Sequence, residues 1–193
     1  MDKNITSITP ENITTFRNYG FALTPVKMDK SPATKNGSWC KDWSDTELLN
    51  AKRIGVFHKD SGIQDVDFDD KNFIAHKFID MLPPTLTIGK YVDGVVIGTH
   101  KTYKIPNDEE ANRYSFPSSA NKGDKIIEIL TSTQTIIAGV DRVIINNVEP
   151  IEINPTELQM HCRLIAAFSE LYLHWPKPDS KMRDEAFLKL AGA

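Results

Sequence analysis

The chain has 193 residues, of which 40% are hydrophobic and 25% are charged, and its formal net charge is −3. This composition is typical of a globular protein with a full core, and it excludes nucleic-acid binding through a global excess of positive charge. No apolar run reaches the roughly 18 residues of a membrane span, and the polar N-terminus differs from a signal peptide, so we expect a cytoplasmic protein with no membrane partner.

The first third of the sequence alternates between predicted helices and strands. Ser44 and Glu47 have the spacing of a capping box, which predicts that a helix begins there. Gly20 marks the end of the helix before it. The predicted elements in chain order are a helix at 10–19, a strand at 21–27, a helix at 44–51 and a strand at 53–57.

Residues 63–69 read Ile-Gln-Asp-Val-Asp-Phe-Asp, the most informative stretch of the chain. Side chains alternate between the two faces of a strand, so Val66 and Phe68 point one way and Asp65, Asp67 and Asp69 the other. Neighbouring carboxylates repel one another, and a divalent cation removes the conflict. Oxygen ligands at this spacing favour Mg²⁺ or Mn²⁺. The alternative is an acidic, solvated edge strand.

The rest of the chain is predicted to be strand-rich. Asp70 is expected to cap a helix that ends at Pro83-Pro84, and the polar segment 106–124 is long for a hairpin connection, which favours a mobile or functional loop. Further strands are predicted near 85–89, 93–97, 100–105, 126–130, 134–138 and 143–145, with a long helix at 156–174. Residues 1–175 would form one domain, and 176–193 a linker and the start of a following helical region.

Glu128 is a further acidic candidate for a site. Glu128 lies between apolar neighbours, so it needs a partner: a metal shared with Asp67 and Asp69, or a salt bridge to Lys104 or Arg142.

His100 and Lys104 share a strand face and could bind a triphosphate beside the metal. The alternative is a histidine bonded to a backbone carbonyl and a solvated lysine. Lys59, after the strand at 53–57, is either a phosphate contact or a plain turn residue.

Three motifs occur in a suggestive order: Val-Asp-Phe-Asp at 66–69, Gly-Thr-His at 98–100 and Ile-Ile-Glu-Ile at 126–129. This order resembles the archaeo-eukaryotic primase superfamily, in its primase–polymerase (prim-pol) branch of the phage and plasmid primase–helicase type. The resemblance covers about residues 12–145. It implies an α+β fold: an α/β N-terminal unit and an antiparallel sheet unit like an RNA-recognition fold, with the active site between them.

The resemblance also implies roles for residues. Nucleotidyl transfer by a DNA primase or polymerase of a phage, plasmid or mobile element would use two Mg²⁺ or Mn²⁺ ions, a single-stranded DNA template and dNTP or NTP. A helical or helicase region would follow the domain. The metal triad would be Asp67, Asp69 and Glu128. His100 would contact the phosphates of the incoming nucleotide, and Lys104, Lys59 and Ser61 are the further nucleotide contacts that we predict.

Two departures from the family pattern matter. Gly98 replaces the serine often found in the second motif. The third acid is glutamate where aspartate is more frequent, which keeps Asp141 as a rival to Glu128. Two other functions remain open at this stage: a metal-dependent nuclease or phosphohydrolase with the same carboxylates, and a non-catalytic module that binds nucleic acid in replication.

Overall fold

The structure is a computed structural model that describes residues 8–35, 42–68, 74–92, 94–107, 109–119 and 123–176. In chain order, the elements of the first half are α1 (Pro10–Asn18), β1 (Leu23–Val26), α2 (Asp45–Leu49), β2 (Arg53–Phe57), α3 (His58–Ser61), β3 (Ile63–Asp67) and a 3₁₀ helix (Ala75–Met81). Those of the second half are β4 (Leu86–Val92), β5 (Val95–Lys104), β6 (Tyr114–Pro117), β7 (Lys125–Leu130), β8 (Gln134–Gly139), β9 (Arg142–Asn146) and α4 (Pro155–His174).

Three of the helices begin at a side-chain cap. Thr9 accepts a hydrogen bond from the backbone of the first turn of α1, and Pro10 follows at the first helical position, where no N–H is needed. At α2 the bonds between Ser44 and Glu47 form the predicted capping box. Asn154 caps α4 in the same manner as Thr9 caps α1. The capping patterns of the sequence therefore fix where these helices start.

The strands form two antiparallel sheets. A three-stranded sheet has the order β1-β2-β8, and a six-stranded sheet has the order β6-β7-β3-β5-β4-β9. The chain passes from the small sheet to the large one through α3, between β2 and β3, and again at the β8–β9 turn. The mixed α+β class predicted from the sequence is confirmed at this level.

Two hydrophobic clusters cover the two faces of β3. On one face, Val66 and Phe68 lie in a cluster with Leu158, Cys162 and other buried residues of α4. On the other face, residues of the large sheet pack against the small sheet and α1. This second cluster includes Ile63, Leu86, Ile88, Val56, Ile137, Ile13 and Phe16. Because Asp65 and Asp67 lie on the same face as Ile63, both aspartates point toward the small sheet.

The structure differs from the sequence predictions at several elements. The three strands expected between 85 and 105 are two, β4 and β5, joined in a hairpin where Val92 pairs with Val95. The polar segment 106–124 contains the edge strand β6. A short helix, α3, replaces the expected turn at Ser61, and Gly62 ends it at φ 60°. The helix expected after Asp70 is described only as the 3₁₀ helix, and residues 69–73 and 177–193 lie outside the described part of the chain.

Candidate active site

Asp67 stands between two of the predicted site residues. In the register of the large sheet it pairs with His100 of β5 on one side and with Glu128 of β7 on the other. Residues directly opposite one another in an antiparallel sheet share a face, with Cβ atoms about 4.5–5.5 Å apart. We call Glu128, Asp67 and His100 the acidic row. The row joins residues from three separate parts of the sequence on the face toward the small sheet.

Asp65 lies two residues before Asp67 and is completely buried. Its Oδ2 accepts hydrogen bonds from Thr135 Oγ1 at 2.7 Å and from Nδ1 of His100 at 2.7 Å, and its Oδ1 accepts one from Thr102 Oγ1 at 3.0 Å. Burial acts to raise the pKa of this carboxyl, but the charge and hydrogen bond of His100 outweigh it and hold the pKa below its usual value. Asp65 is therefore an ionised structural partner of His100.

His100 contacts both aspartates of β3. Its Nδ1 lies 2.7 Å from Oδ2 of Asp65 and 3.6 Å from Oδ1 of Asp67. Burial acts to lower the pKa of His100, but the charges of Asp65 and Asp67 outweigh it, so the pKa lies above its usual value and the imidazolium form is favoured. Nε2 lies on the opposite side of the ring from Nδ1. The ring is thus held in one orientation, as a cation at one end of the acidic row.

A second histidine continues the buried chain of hydrogen bonds. Thr135 gives its one proton to Asp65, so it must accept from Nε2 of His58, which lies 2.8 Å away. His58 is fully buried, and burial lowers its pKa to about 4. The ring is therefore neutral and protonated at Nε2. This series of hydrogen bonds links β8 of the small sheet to β3 and β5 of the large one.

Glu128 is held by two cations. Arg113 Nη2 lies 3.1 Å from its Oε1, and Lys125 Nζ lies 2.8 Å from its Oε2. Burial acts to raise the pKa of Glu128, but the hydrogen bonds from Lys125 and Arg113 outweigh it and lower the pKa. The salt-bridge alternative from the sequence named the wrong cations, because Lys104 and Arg142 have other partners. Arg113 precedes β6, whose Ser115 pairs with Glu128 in register.

Asp141, the rival third acid, is engaged elsewhere. Two nitrogens of Arg53 lie 3.2 and 3.1 Å from its carboxylate oxygens, and Arg142 Nη1 lies 3.7 Å from it. Asp141 precedes β9, which pairs with β4 at the edge of the large sheet. Glu128, and not Asp141, is the acid that pairs with Asp67 in the register of the sheet.

The remaining predicted nucleotide contacts lie at the other end of β3. Lys104 pairs with Ile63, four residues from Asp67, and its ammonium lies 2.6 Å from Glu149. Lys59 is exposed on α3, and the hydroxyl of Ser61 accepts a hydrogen bond from the backbone of Ala22. Four residues of strand correspond to about 13 Å. The structure therefore separates these three residues from His100.

Asp67 and Glu128 are the two carboxylates of the predicted triad that the structure describes, and Asp69 lies outside the described residues. Within the described ranges, no group of three His, Cys, Asp or Glu side chains is arranged to hold a metal ion. The oxygen-only donor set of Asp67 and Glu128 suits Mg²⁺ or Mn²⁺, and with Asp69 it would have three carboxylates.

Comparison with known proteins adds no family: no protein-family model matches the chain, and the search of curated proteins finds no match. The helices in the described part of the chain include none that is long and apolar enough to cross a membrane.

Sequence reasoning missed the partners of the candidate residues. Thr135 lies 70 residues from Asp65, and nothing in its local pattern indicates that the two meet. The sequence did not single out Arg113 or Lys125 as partners of Glu128. Tyr103, an aromatic residue on the same strand as His100, is completely buried, and its hydroxyl donates to Pro83 O. A prediction of the β6–β7 pairing would have identified Arg113.

Proposed function

We propose that this chain is the catalytic domain of a template-dependent nucleotidyltransferase of the prim-pol type, acting as a DNA primase or polymerase with Mg²⁺ or Mn²⁺. The observation that carries the proposal is the acidic row. Motifs separated by tens of residues, which together resemble the family pattern, converge as direct neighbours on three adjacent strands. The two-sheet α+β architecture, with the row facing the space between the sheets, is consistent with the prim-pol arrangement.

Asp67 and Glu128 would hold the metal together with Asp69. Bound divalent ions would supply charge stabilisation for the attacking 3′-hydroxyl and the departing pyrophosphate. Catalysis of this kind depends on positioning and on charge neutralisation more than on covalent chemistry by the protein. The rigid β-ladder supplies the positioning, because Asp67 and Glu128 are fixed by paired backbone on both sides.

His100 would contact the phosphates of the incoming nucleotide. The favoured imidazolium form is an appropriate donor to an anionic oxygen. Asp65 would act through His100 as a positioning residue: it bonds Nδ1 and so directs Nε2 to the other side of the ring. Lys104, Lys59 and Ser61 lie near the Ile63 end of β3, and His100 lies beside Asp67 at the other end. The three residues are therefore too far from His100 to join this contact.

One incubation separates the proposed reaction from the two alternatives. The protein is mixed with Mn²⁺, a single-stranded DNA template and labelled nucleotides, with and without a primer. Extension of labelled product supports nucleotidyl transfer. Shortening of the template indicates a nuclease. A gel shift without either change indicates a non-catalytic module, the alternative favoured by the two cations that occupy Glu128.

A further inference from the structure

Both carboxylate oxygens of Glu128 are occupied by cations. Arg113 binds Oε1 and Lys125 binds Oε2, at 3.1 and 2.8 Å. The Glu128 side chain is 7% exposed, whereas those of Arg113 and Lys125 are 51% and 36% exposed. The acid is therefore fixed in the sheet, while the two cations reach it from the surface.

A divalent ion on Glu128 would have to compete with these cations. Like charges within a few ångströms repel strongly where water is partly excluded. Because Glu128 is nearly buried and its neighbours are partly exposed, the guanidinium and the ammonium are the groups free to turn away. They would then lie beside the metal with their charge unneutralised.

We propose that Arg113 and Lys125 form an anion site that becomes available when a divalent cation binds Glu128 in their place. This site binds the triphosphate of the incoming nucleotide. The inference rests on the proposed function, since it requires Glu128 to be a metal ligand. A guanidinium can bind two phosphate oxygens at once, and a lysine supplies a compact charge. Without metal the same cations neutralise Glu128, which keeps the site closed to anions.

The position of the two cations in the fold supports this exchange. Arg113 directly precedes the edge strand β6, and Lys125 is the first residue of β7. In the register of the sheet, Arg113 lies just beyond the Tyr114–Ile129 pair and Lys125 lies three residues before Glu128, so the two cations reach Glu128 from opposite directions along β7. His100 lies on the opposite side of Asp67 from Glu128. A triphosphate over the acidic row would have cations at both ends.

The first test measures Mn²⁺ binding by calorimetry to the unaltered chain and to Lys125→Gln and Arg113→Gln. Removing a competing cation should tighten Mn²⁺ binding roughly fivefold, which corresponds to the free energy of one well-formed ion pair. Lys35→Gln is the matched control: Lys35 lies 2.9 Å from Glu47 and is 35% exposed, nearly as Lys125 is to Glu128. The control should leave the affinity unchanged. Unchanged or weaker Mn²⁺ binding by both site variants would overturn the exchange.

The second test titrates inorganic triphosphate into the same proteins, with saturating Mn²⁺ and again with chelator. With Mn²⁺, both site variants should lose affinity roughly fivefold, whereas Lys125→Arg should retain it. With chelator, the loss of triphosphate affinity should be less than about twofold, because the two cations are already paired with Glu128. An equal loss in both conditions, or no loss with Mn²⁺, would refute the metal-opened site.

The outcomes distinguish this inference from the proposed function. If the unaltered chain binds no Mn²⁺, both fail together. If it binds Mn²⁺ and extends a template, but Lys125→Gln and Arg113→Gln change neither affinity, the exchange alone is refuted. Thermal melting of each variant verifies that it is folded before titration.

Discussion

Nδ1 of His100 lies 2.7 Å from Oδ2 of Asp65, a carboxylate that is completely buried on the neighbouring strand. The pair decides the charge and the orientation of the histidine in the acidic row. It also distinguishes Asp65 from Asp67, two acids that the alternation of the sequence places on one face without distinguishing their roles. Asp65 is completely buried, whereas the side chain of Asp67 is 23% exposed.

We expect the buried pair to be strongly coupled. His100→Ala leaves the Asp65 charge buried with only threonine partners, which should cost about 3 kcal/mol of the free energy of unfolding. Adding Asp65→Asn to that variant should restore part of the loss, because the uncompensated charge is gone. Urea denaturation of the four proteins in this double-mutant cycle measures the coupling. Strictly additive effects would show that the two side chains do not interact.

The two candidate phosphate contacts on β5 should behave differently. His100→Ala should raise the nucleotide KM about tenfold, with a smaller effect on template affinity, because the imidazolium of the acidic row is lost. Lys104→Gln should change that KM less than about twofold, since Lys104 is paired with Glu149 at the other end of β3. The two KM values are measured by steady-state nucleotide incorporation at a temperature where both variants are folded. Equal effects would contradict the separation seen in the structure.

His58 should make the fold sensitive to mild acid. Its folded pKa is about 4, below its ordinary value of 6.5, so the unfolded chain binds a proton in this range and the folded chain does not. The stability that neutral His58 supports is therefore complete above pH 6.5 and falls with pH, by up to about 3 kcal/mol at pH 4. His100 has the opposite shift, and its contribution is lost as pH rises above 6.5, outside this window.

The His58 contribution is obtained by difference. Urea denaturation of the unaltered chain and of His58→Gln is measured from pH 7 to pH 4.5. Subtracting one free energy of unfolding from the other cancels the contribution of the carboxylates, which titrate in both proteins. The difference in stability between the two proteins should shrink steadily as pH falls. A constant difference would mean that His58 titrates normally in the folded protein.

Metal binding should stabilise the fold through Asp67. At a Mn²⁺ concentration a hundredfold above its Kd, the gain is about 2.7 kcal/mol, or a rise in Tm of about 5 °C or more. Asp67→Asn should lose this rise, and its Tm without metal should fall slightly, because the attraction between Asp67 and the His100 imidazolium is lost. Asp60→Asn, on the exposed surface of α3, serves as the control and should keep the full shift. A full shift in Asp67→Asn would place the metal elsewhere.

Local patterns predicted most of the fold. The capping box at Ser44 and the alternation of residues 63–67 act within a few residues, so the sequence reveals them directly. β6 was missed because an edge strand exposed on one side, with Pro117 at its end, has the composition of a loop. Residues 95–104 form one strand, β5, because they pair with β3 and β4. No local signal in the sequence specifies this pairing.

The candidate site was predictable as a set of residues and not as a set of contacts. The motifs identified Asp67, His100 and Glu128, but their adjacency depends on the strand order β7-β3-β5. The ion pairs of Glu128 depend on the β6–β7 register, and the bond from Thr135 to Asp65 depends on how the two sheets pack. These are long-range relationships that hydrophobic periodicity does not encode.

The most direct test of the account is template-dependent nucleotide incorporation with Mn²⁺ by the unaltered chain, Asp67→Asn, Glu128→Gln and the control Asp60→Asn. The account predicts that the unaltered chain and the control extend labelled product, and that both site variants lose at least about a thousandfold in rate while still folded. Extension by Asp67→Asn or Glu128→Gln at near the parent rate, or no extension by the unaltered chain on any single-stranded template, would contradict the assignment of the acidic row as the centre of a nucleotidyltransferase.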